Sequence, residues 1–325
     1  MKSFTKTLQI ILILFLLASV SIEAKGDKNN LRLLYWNIQN GMWDGQPDNY
    51  TRFVAWVKAQ KPDVCVWCEA QSIWVTNSDK KLAKEDQYLV ANWDKLAKRY
   101  GHKYIYLGGH HDNYPQVITS KYPIHNVARL LGSPNDTLVC HGGGWATIEV
   151  NNKTVNIVTI HTWPQAYGYG VSKEDRQRSA AAREGDFFRR TEMEYIINHT
   201  IGQVPGASQQ LWMMMGDFNA PSPVDNSVYN FPKDDSRFLT HNFILEHSPY
   251  IDVVKQKNNG IFIPSSVWNG KRIDFVYATK ALYDRVKNAS IIWDQYTTPV
   301  RNAQNLGNFW HPSDHLPIIV NFDMK

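Results

Sequence analysis

The sequence predicts an α/β fold in one domain, on three observations. Apolar runs of strand length recur in both halves of the chain. Segments with helical spacing lie between them. Several of the strand-like runs are apolar on both faces, the pattern of sheets covered on both sides. The 325 residues are 43% apolar and 20% charged, an ordinary globular composition with ample core material. No internal repeat, low-complexity tract or linker divides the chain, so one domain over residues 28–325 is expected.

The first 24 residues read as a signal peptide. Lys2 and Lys6 make a basic start, Ile10 to Ala18 is an apolar run, and small residues lead to Ala24 as the expected cleavage position. The run is shorter than the ~20 apolar residues of a membrane span. The expected location is therefore secreted or periplasmic, with no stable membrane insertion once the signal is removed. An uncleaved anchor is the alternative.

The elements then follow in order. "LRLLYWN" is a strand, "YTRFVAWVKAQ" a helix and "KPDVCVWCEA" a strand. "QYLVANWDKLAKRYG" is helical and ends on Gly101, a C-cap signal. "YPQVITSKYPI", "GWATIEV" and "VNIVTIHTW" are strands, the last two joined across Asn-Asn as a hairpin. Ser172 and Asp175 resemble a capping box, which predicts a long helix from Ser172 toward His199 with Gly185 weakening its middle. "LWMMMGD", "RIDFVYAT" and "LPIIVNF" are later strands, and 220–265 carries no clear pattern and is expected to include surface loops.

Three cysteines, Cys65, Cys68 and Cys140, are read as plain buried thiols. Cys65 and Cys68 fall three apart on one strand and so point to opposite faces, which argues against a shared metal or disulfide. Sequons at Asn49, Asn135, Asn152, Asn198 and Asn288 matter only in a eukaryotic host. The net charge of +5 and pI near 8.9 are compatible with an anionic substrate.

The functional signal is a repeated one. Six apolar runs each carry a polar residue at one end: Asn37, Glu69, His161, Asp217 with Asn219, Asp274, and Asp314 with His315. Singly, each has an ordinary reading as a cap, turn or satisfied core residue. Jointly they supply oxygen ligands, a water-activating group and phosphate-contacting donors, as metal-assisted phosphate-ester hydrolysis requires.

"WNIQNG", "PDVCVWCEAQ", "SKYPI", "IHTWP", "GDFNAPSP", "GKRIDFVYAT" and "SDHLPI" stand in an order that resembles the endonuclease/exonuclease/phosphatase superfamily, in the form of an exported bacterial-type member. The resemblance spans about residues 31–322. It implies the DNase I-like four-layer sandwich, two packed mixed β-sheets flanked by helices. It also implies hydrolysis of a phosphate ester with a divalent metal, Mg²⁺ or Mn²⁺. One departure is Cys68, where the family often has glutamine before the glutamate; Gln71 is a candidate substitute.

On that reading Glu69, Asn37 (through its side-chain oxygen) and Asp314 are the metal ligands. Asp217 activates water, and Asn219, sharing its strand parity, holds the phosphate or the water. The resemblance implies that Asp274 orients His315 toward a phosphate oxygen, with His161 approaching from another side. Arg272 is read as structural. The aromatic segment "HTWPQAYGYG" and "GGHHDNY", with His110 and His111, are candidate rim segments.

The expected activity is an exported phosphodiesterase, with nuclease the favoured subtype and nucleic acid among the candidate partners. A sphingomyelinase-like or small-molecule phosphoesterase is the alternative, and a non-catalytic binding protein on the same fold the least favoured. The tryptophan-cysteine-aspartate-arginine signature of inositol polyphosphate phosphatases is absent where the chain reads "GKRID". No protein partner is evident.

Overall fold

The structure is a computed structural model that describes residues 29–42, 48–70, 92–111, 113–133, 138–267, 269–301 and 310–325. The signal-like segment, Gln71, Asn135 and the start of the segment 87–101 lie outside these residues.

The strands in chain order are β1 (Asn30–Asn37), β2 (Val64–Cys68), β3 (Tyr104–Gly108), β4 (Gln116–Ser120), β5 (Ile124–Leu130), β6 (Gly143–Val150), β7 (Lys153–His161), β8 (Leu211–Asp217), β9 (Tyr250–Asp252), β10 (Asp274–Thr279), β11 (Val286–Ile291), β12 (Val300–Arg301), β13 (Trp310–His311) and β14 (Ile318–Asp323). Two six-stranded sheets form, in the orders β11-β14-β1-β2-β4-β3 and β5-β6-β7-β8-β10-β9, with β12 and β13 as a separate pair. Both sheets are mixed. β1 runs parallel to β2 and β7 parallel to β8, while the other neighbours are antiparallel.

Side-chain parity explains the layering. Leu33 and Tyr35 of β1, Val64, Val66 and Cys68 of β2, Val155 and Ile157 of β7, Met213 and Met215 of β8, and Val276 and Ala278 of β10 share one core between the sheets. The alternate residues face outward. Leu34, Trp36, Cys65 and Trp67 meet the helices α1 (Thr51–Gln60) and α2 (Trp93–Arg99). After α3 (Arg176–Ala181), α4 (Glu184–Asn198) and α5 (Leu239–His247) cover Val158, Ile160, Trp212, Met214, Phe275 and Tyr277 on the other sheet. The result is the four-layer α/β sandwich. Cys65 and Cys68 therefore belong to different cores, and all three cysteines are free and buried. Trp36, Trp67, Trp93 and Trp212 are fully buried; truncating any one to alanine costs about 3–5 kcal/mol.

The β6–β7 hairpin turns on Asn151 and Asn152, at φ 52° and 60°, the left-handed pair that a two-residue hairpin loop requires. Gly101, at φ 94°, follows the last turn of α2 as the sequence indicates.

Three expectations are corrected. The long helix is two helices, broken at Arg183, whose φ is 54°. Ser172 and Asp175 do bond to each other, but before α3 rather than as its cap. A Cβ on Gly185 would lie 2.0 Å from the Gln165 carbonyl oxygen, so a glycine is what lets α4 start against that loop. "YPQVITSKYPI" is not one strand: β4 lies in one sheet and β5 in the other. β3 and β11 are edge strands, and β11, with Lys287 and Asn288 exposed, carries no clear apolar signal. Residues 220–265 contain α5, which places Phe243 and Ile244 in the core.

Candidate active site

Inner-face parity carries four polar residues to one end of the sandwich. Asn37 follows Leu33 and Tyr35 on β1, His161 follows Val155 and Ile157 on β7, Asp217 follows Met213 and Met215 on β8, and Asp274 precedes Val276 and Ala278 on β10. Register aligns three of them: Asp217 pairs with both Asp274 and His161. Gly216 permits this closeness, since a Cβ there would lie 2.0 Å from the Ile160 carbonyl oxygen.

The other sheet supplies Asn37. Its amide donates to Glu69 Oε1 at 3.2 Å and to Asp217 Oδ2 at 3.1 Å, bridging the two sheets. Its oxygen accepts from the Gln39 backbone N–H at 3.1 Å. Asn37 thus holds the two carboxylates through its amino group, where the sequence reading used its oxygen as a ligand. Glu69 lies just past β2 at φ 53°, and its second oxygen accepts from the Asn40 N–H at 3.0 Å.

Asp217 sits between two histidines. Its Oδ2 is 3.9 Å from His161 Nε2 and 3.7 Å from His315 Nε2, and its Oδ1 accepts from the Asn219 N–H at 2.8 Å. Asn219 reaches the site by a left-handed turn, φ 47°, with its amide on the Thr162 carbonyl at 3.0 Å. It lies beyond the strand end, so the turn, and not strand parity, places it. His315 Nδ1 donates to Asp274 Oδ2 at 2.6 Å. Tyr35 and Ser265, which sequence reasoning missed, also donate to Asp274, at 2.6 and 2.8 Å. The residues before His315 are fixed by Ser313, whose hydroxyl donates to the Asn37 carbonyl at 2.7 Å and accepts the His315 N–H at 3.1 Å.

The electrostatics separate the histidines. Burial alone would keep His315 neutral, but Asp274, Asp314 and Asp217 outweigh it and hold its pKa well above the ordinary value. His315 is therefore an imidazolium at neutral pH. Burial lowers the His161 pKa against the pull of Glu69, so His161 is neutral. Its Nδ1 faces the Tyr114 carbonyl at 3.4 Å, which assigns the proton there and leaves a lone pair on Nε2. Burial, and then the Asp274 carboxylate, raise the pKa of Asp217 against the pull of His315.

These groups line or back one cavity of about 680 Å³, whose walls include Glu69, His161, Asp217, Asn219, Asp314 and His315. Asn37 and Asp274 are fully buried behind it. Trp163, Pro164, Gln165 and Tyr169 of the aromatic segment form one rim. From "GGHHDNY" it is Asn113 and Tyr114 that reach the cavity; His110 instead bonds the Val139 carbonyl at 3.1 Å. His141, also missed, stacks on His161 with ring centres 4.2 Å apart. Five non-glycine residues of the wall, Gln39, Asn40, Glu69, Tyr114 and Asn219, have left-handed backbones. Backbone strain of this kind gathers at functional sites.

The donor set fits a divalent cation. Glu69, His161 and Asp217 each offer a ligand atom within 4.8 Å of the others, and Asp217, Asp274 and His315 form a second such group. Asp314 Oδ1 is buried with no hydrogen-bond partner, and burial raises the pKa of this carboxyl. Burial holds the Asp217 pKa up to about 8 and raises that of Asp314; a hard cation with oxygen preference would displace those protons and neutralise the carboxylates it meets.

Residues 34–315 match the Endonuclease/Exonuclease/phosphatase family. No curated protein matches the chain in sequence. Among solved structures, an AP endonuclease from Archaeoglobus fulgidus is 16% identical with a TM-score of 0.57, over 90% of this chain and 99% of that one. A 3′-5′ exonuclease from Neisseria meningitidis is 16% identical with a TM-score of 0.56, over 90% and 100%. The human Nocturnin catalytic domain is 13% identical with a TM-score of 0.56, over 90% and 93%. At these identities the likeness is one of fold, the DNase I-like one.

Proposed function

We propose that this chain, which belongs to the endonuclease/exonuclease/phosphatase family, is an exported, divalent-metal-dependent phosphodiesterase acting on nucleic acid. The observation that carries the reading is Asp217 held between neutral His161 and the cationic His315–Asp274 pair, at the wall of the cavity that also holds Glu69 and Asp314. Glu69 and Asp314 would hold Mg²⁺ or Mn²⁺, which when bound neutralises phosphate oxygens and stabilises charge in the transition state.

The chain's own residues divide the work. Asp217, held up to about 8 by burial and Asp274, accepts the proton of the attacking water from its ionised form, which a bound cation would favour. The His315 imidazolium donates to a non-bridging phosphate oxygen, with Asp274 fixing the ring and sustaining its charge. Asn219 orients the water or the phosphate. His161 meets the phosphate through Nε2 once a second proton is added there, which the arriving anion favours. The rim of Trp163 and Tyr169 offers aromatic faces to a base. Two of the structural neighbours are named as nucleases, which supports the choice of nucleic acid. Export rests on the basic start and the apolar run Ile10 to Ala18. Among the described residues no helix is long and apolar enough to cross a membrane.

The test is a substrate panel of plasmid DNA, RNA, sphingomyelin, inositol phosphates and a chromogenic phosphodiester, with and without Mg²⁺. Chelator should abolish turnover and Mg²⁺ or Mn²⁺ restore it; full turnover in excess chelator would sink the metal dependence. Glu69→Gln should weaken cation binding, read as a loss of the stabilisation that added Mg²⁺ gives wild type, about 2.7 kcal/mol at a hundredfold excess over Kd.

A further inference from the structure

Beside the main cavity lies a smaller one of about 230 Å³. The two share a wall formed by Pro164, Asn219, Asn269 and Ile273. The lining of the smaller pocket includes four cations, Arg183, Arg189, Arg237 and Lys271, and no acid.

The carboxylates that partner these cations stand behind them. Asp186 accepts from Arg183 and Arg189 together, and also from the Ser236 hydroxyl at 2.7 Å. Asp235 holds Arg237 bidentately, at 2.7 and 2.6 Å. Two carboxylates therefore serve three guanidiniums. Lys271 has no carboxylate partner among the described residues; the contact its ammonium makes is with the Phe231 ring, 5.8 Å from the centroid. Glu192 is a further acid in range of Arg189, pushed up to about 8 by burial; even with it ionised, the four cations outnumber the three acids. Burial, and then Arg237 and Arg183, depress the Lys271 pKa, the sign of like charges held together.

A surplus of positive charge facing an open pocket is stabilised by an anion. Because Asn219 belongs to both walls, an anion in the smaller pocket lies next to a phosphate in the larger one. We propose that the smaller pocket is a second phosphate subsite, which receives a neighbouring phosphate of the same substrate and makes the enzyme selective for molecules with at least two. An oligonucleotide has that chemistry at every step. A phosphocholine headgroup, with a quaternary ammonium beside its phosphate, does not. The inference rests on the phosphodiesterase reading and narrows its substrate class.

Binding can be measured apart from catalysis. Thymidine 3′,5′-bisphosphate and thymidine 5′-monophosphate, neither of which contains a phosphodiester, would be titrated calorimetrically into the full chain. Wild type should favour the bisphosphate by about tenfold, the effect of one charge-assisted hydrogen bond. Lys271→Gln should bring the ratio of the two affinities toward one, and Lys271→Glu should bring it there or below. Lys271 is half-buried and outside any ion pair among the described residues, and unfolding midpoints would check that both variants fold. Equal affinities in wild type, or a preference that survives both substitutions, would overturn the subsite. A second arm compares hydrolysis of a dinucleotide with and without a terminal phosphate and of a longer oligonucleotide. Selectivity reaching the terminally phosphorylated dinucleotide identifies any second phosphate as sufficient; selectivity confined to the oligonucleotide overturns a single subsite. A protein that keeps the binding preference but cleaves no phosphodiester retains the pocket and loses the catalytic reading.

Discussion

Arg272 and Asp274 are two residues apart, yet they belong to opposite kinds of buried charge cluster. Arg272, only 2% exposed, contacts Asp225 at 2.6 Å and Asp252 at 2.7 Å, and Lys255 adds a second cation on Asp225 at 2.9 Å. Two cations meet two carboxylates and the group closes on itself. Asp274 stands with Asp217 and Asp314 around the single imidazolium of His315, and Glu69 lies beyond Asp217 next to neutral His161. A structural network compensates its charge internally, because an unpaired buried ion is severely destabilising. The second cluster leaves its compensation to a bound cation. The imbalance, rather than burial or acidity, distinguishes a site from a strut.

The largest test of this contrast is Asp217→Asn. It removes a base from the unbalanced cluster and should lower turnover by about two to four orders of magnitude, with the unfolding midpoint preserved or raised. Near-normal turnover on the best substrate would remove Asp217 from the role. The mirror experiment is Arg272→Ala, which strips a cation from the balanced cluster. Urea unfolding should show a loss of about 3–5 kcal/mol. A loss below about 1 kcal/mol, the scale of an exposed pair, would contradict a structural role.

Within the site, Asp274 and His315 should act as one unit. Asp274→Asn should reproduce much of the loss caused by His315→Ala, and the double variant should be little worse than the histidine single. The coupling in kcat/KM should approach the upper range of such cycles, about 3 kcal/mol. Simple addition of the two losses would mean that Asp274 works elsewhere. His161→Ala combined with Asp274→Asn should be worse than either alone.

The smallest effect concerns histidines that serve structure by staying neutral. His102 is bonded at both ring nitrogens, to Thr119 and the Pro62 carbonyl, and burial pushes its pKa down to about 4. His241 is bonded likewise to Tyr277 and the Ala220 carbonyl, and burial lowers it to about 3. Unfolded histidine titrates near 6.5, so below that pH the unfolded chain binds more protons than the folded one. Stability contributed by these residues is present above 6.5 and falls as pH drops toward 4 and 3. Each should cost about 2 kcal/mol between pH 7 and 5. Urea unfolding at several pH values, for wild type and His102→Gln, isolates one share. Parallel profiles would show that His102 is not neutral in the folded state.

Much of this arrangement was legible in the sequence because it depends on period two. The alternation in "LLYWN", "IVTIH" and "LWMMMGD" fixes which residues face inward, so Asn37, His161 and Asp217 fall on one face as soon as the strands are recognised. What stayed hidden depends on pairing between distant segments or on turns. No spacing places Tyr35 against Asp274 or His141 on His161, since register between strands is set by the packed sheet. Asn219 was found for a reason that does not hold, as a turn and not parity brings it in. The edge strand β11 is illegible because Lys287, Asn288 and Ser290 break its apolar pattern, whereas β3 carries an apolar run of its own.

The five left-handed residues of the cavity wall have a consequence for heat tolerance. Each holds a backbone conformation that disfavours a Cβ by on the order of 1 kcal/mol, and glycine would relieve it. Yet Glu69, Asn219 and Tyr114 supply, respectively, a carboxylate, an amide and the carbonyl that orients His161. A campaign that ranks variants by survival after heating would therefore be drawn to the wall of the cavity, and there every gain in durability at Glu69 or Asn219 would be selected at the expense of the chemistry. Screens for a hardier form of this protein should hold these positions fixed and look for improvement in the outer helices.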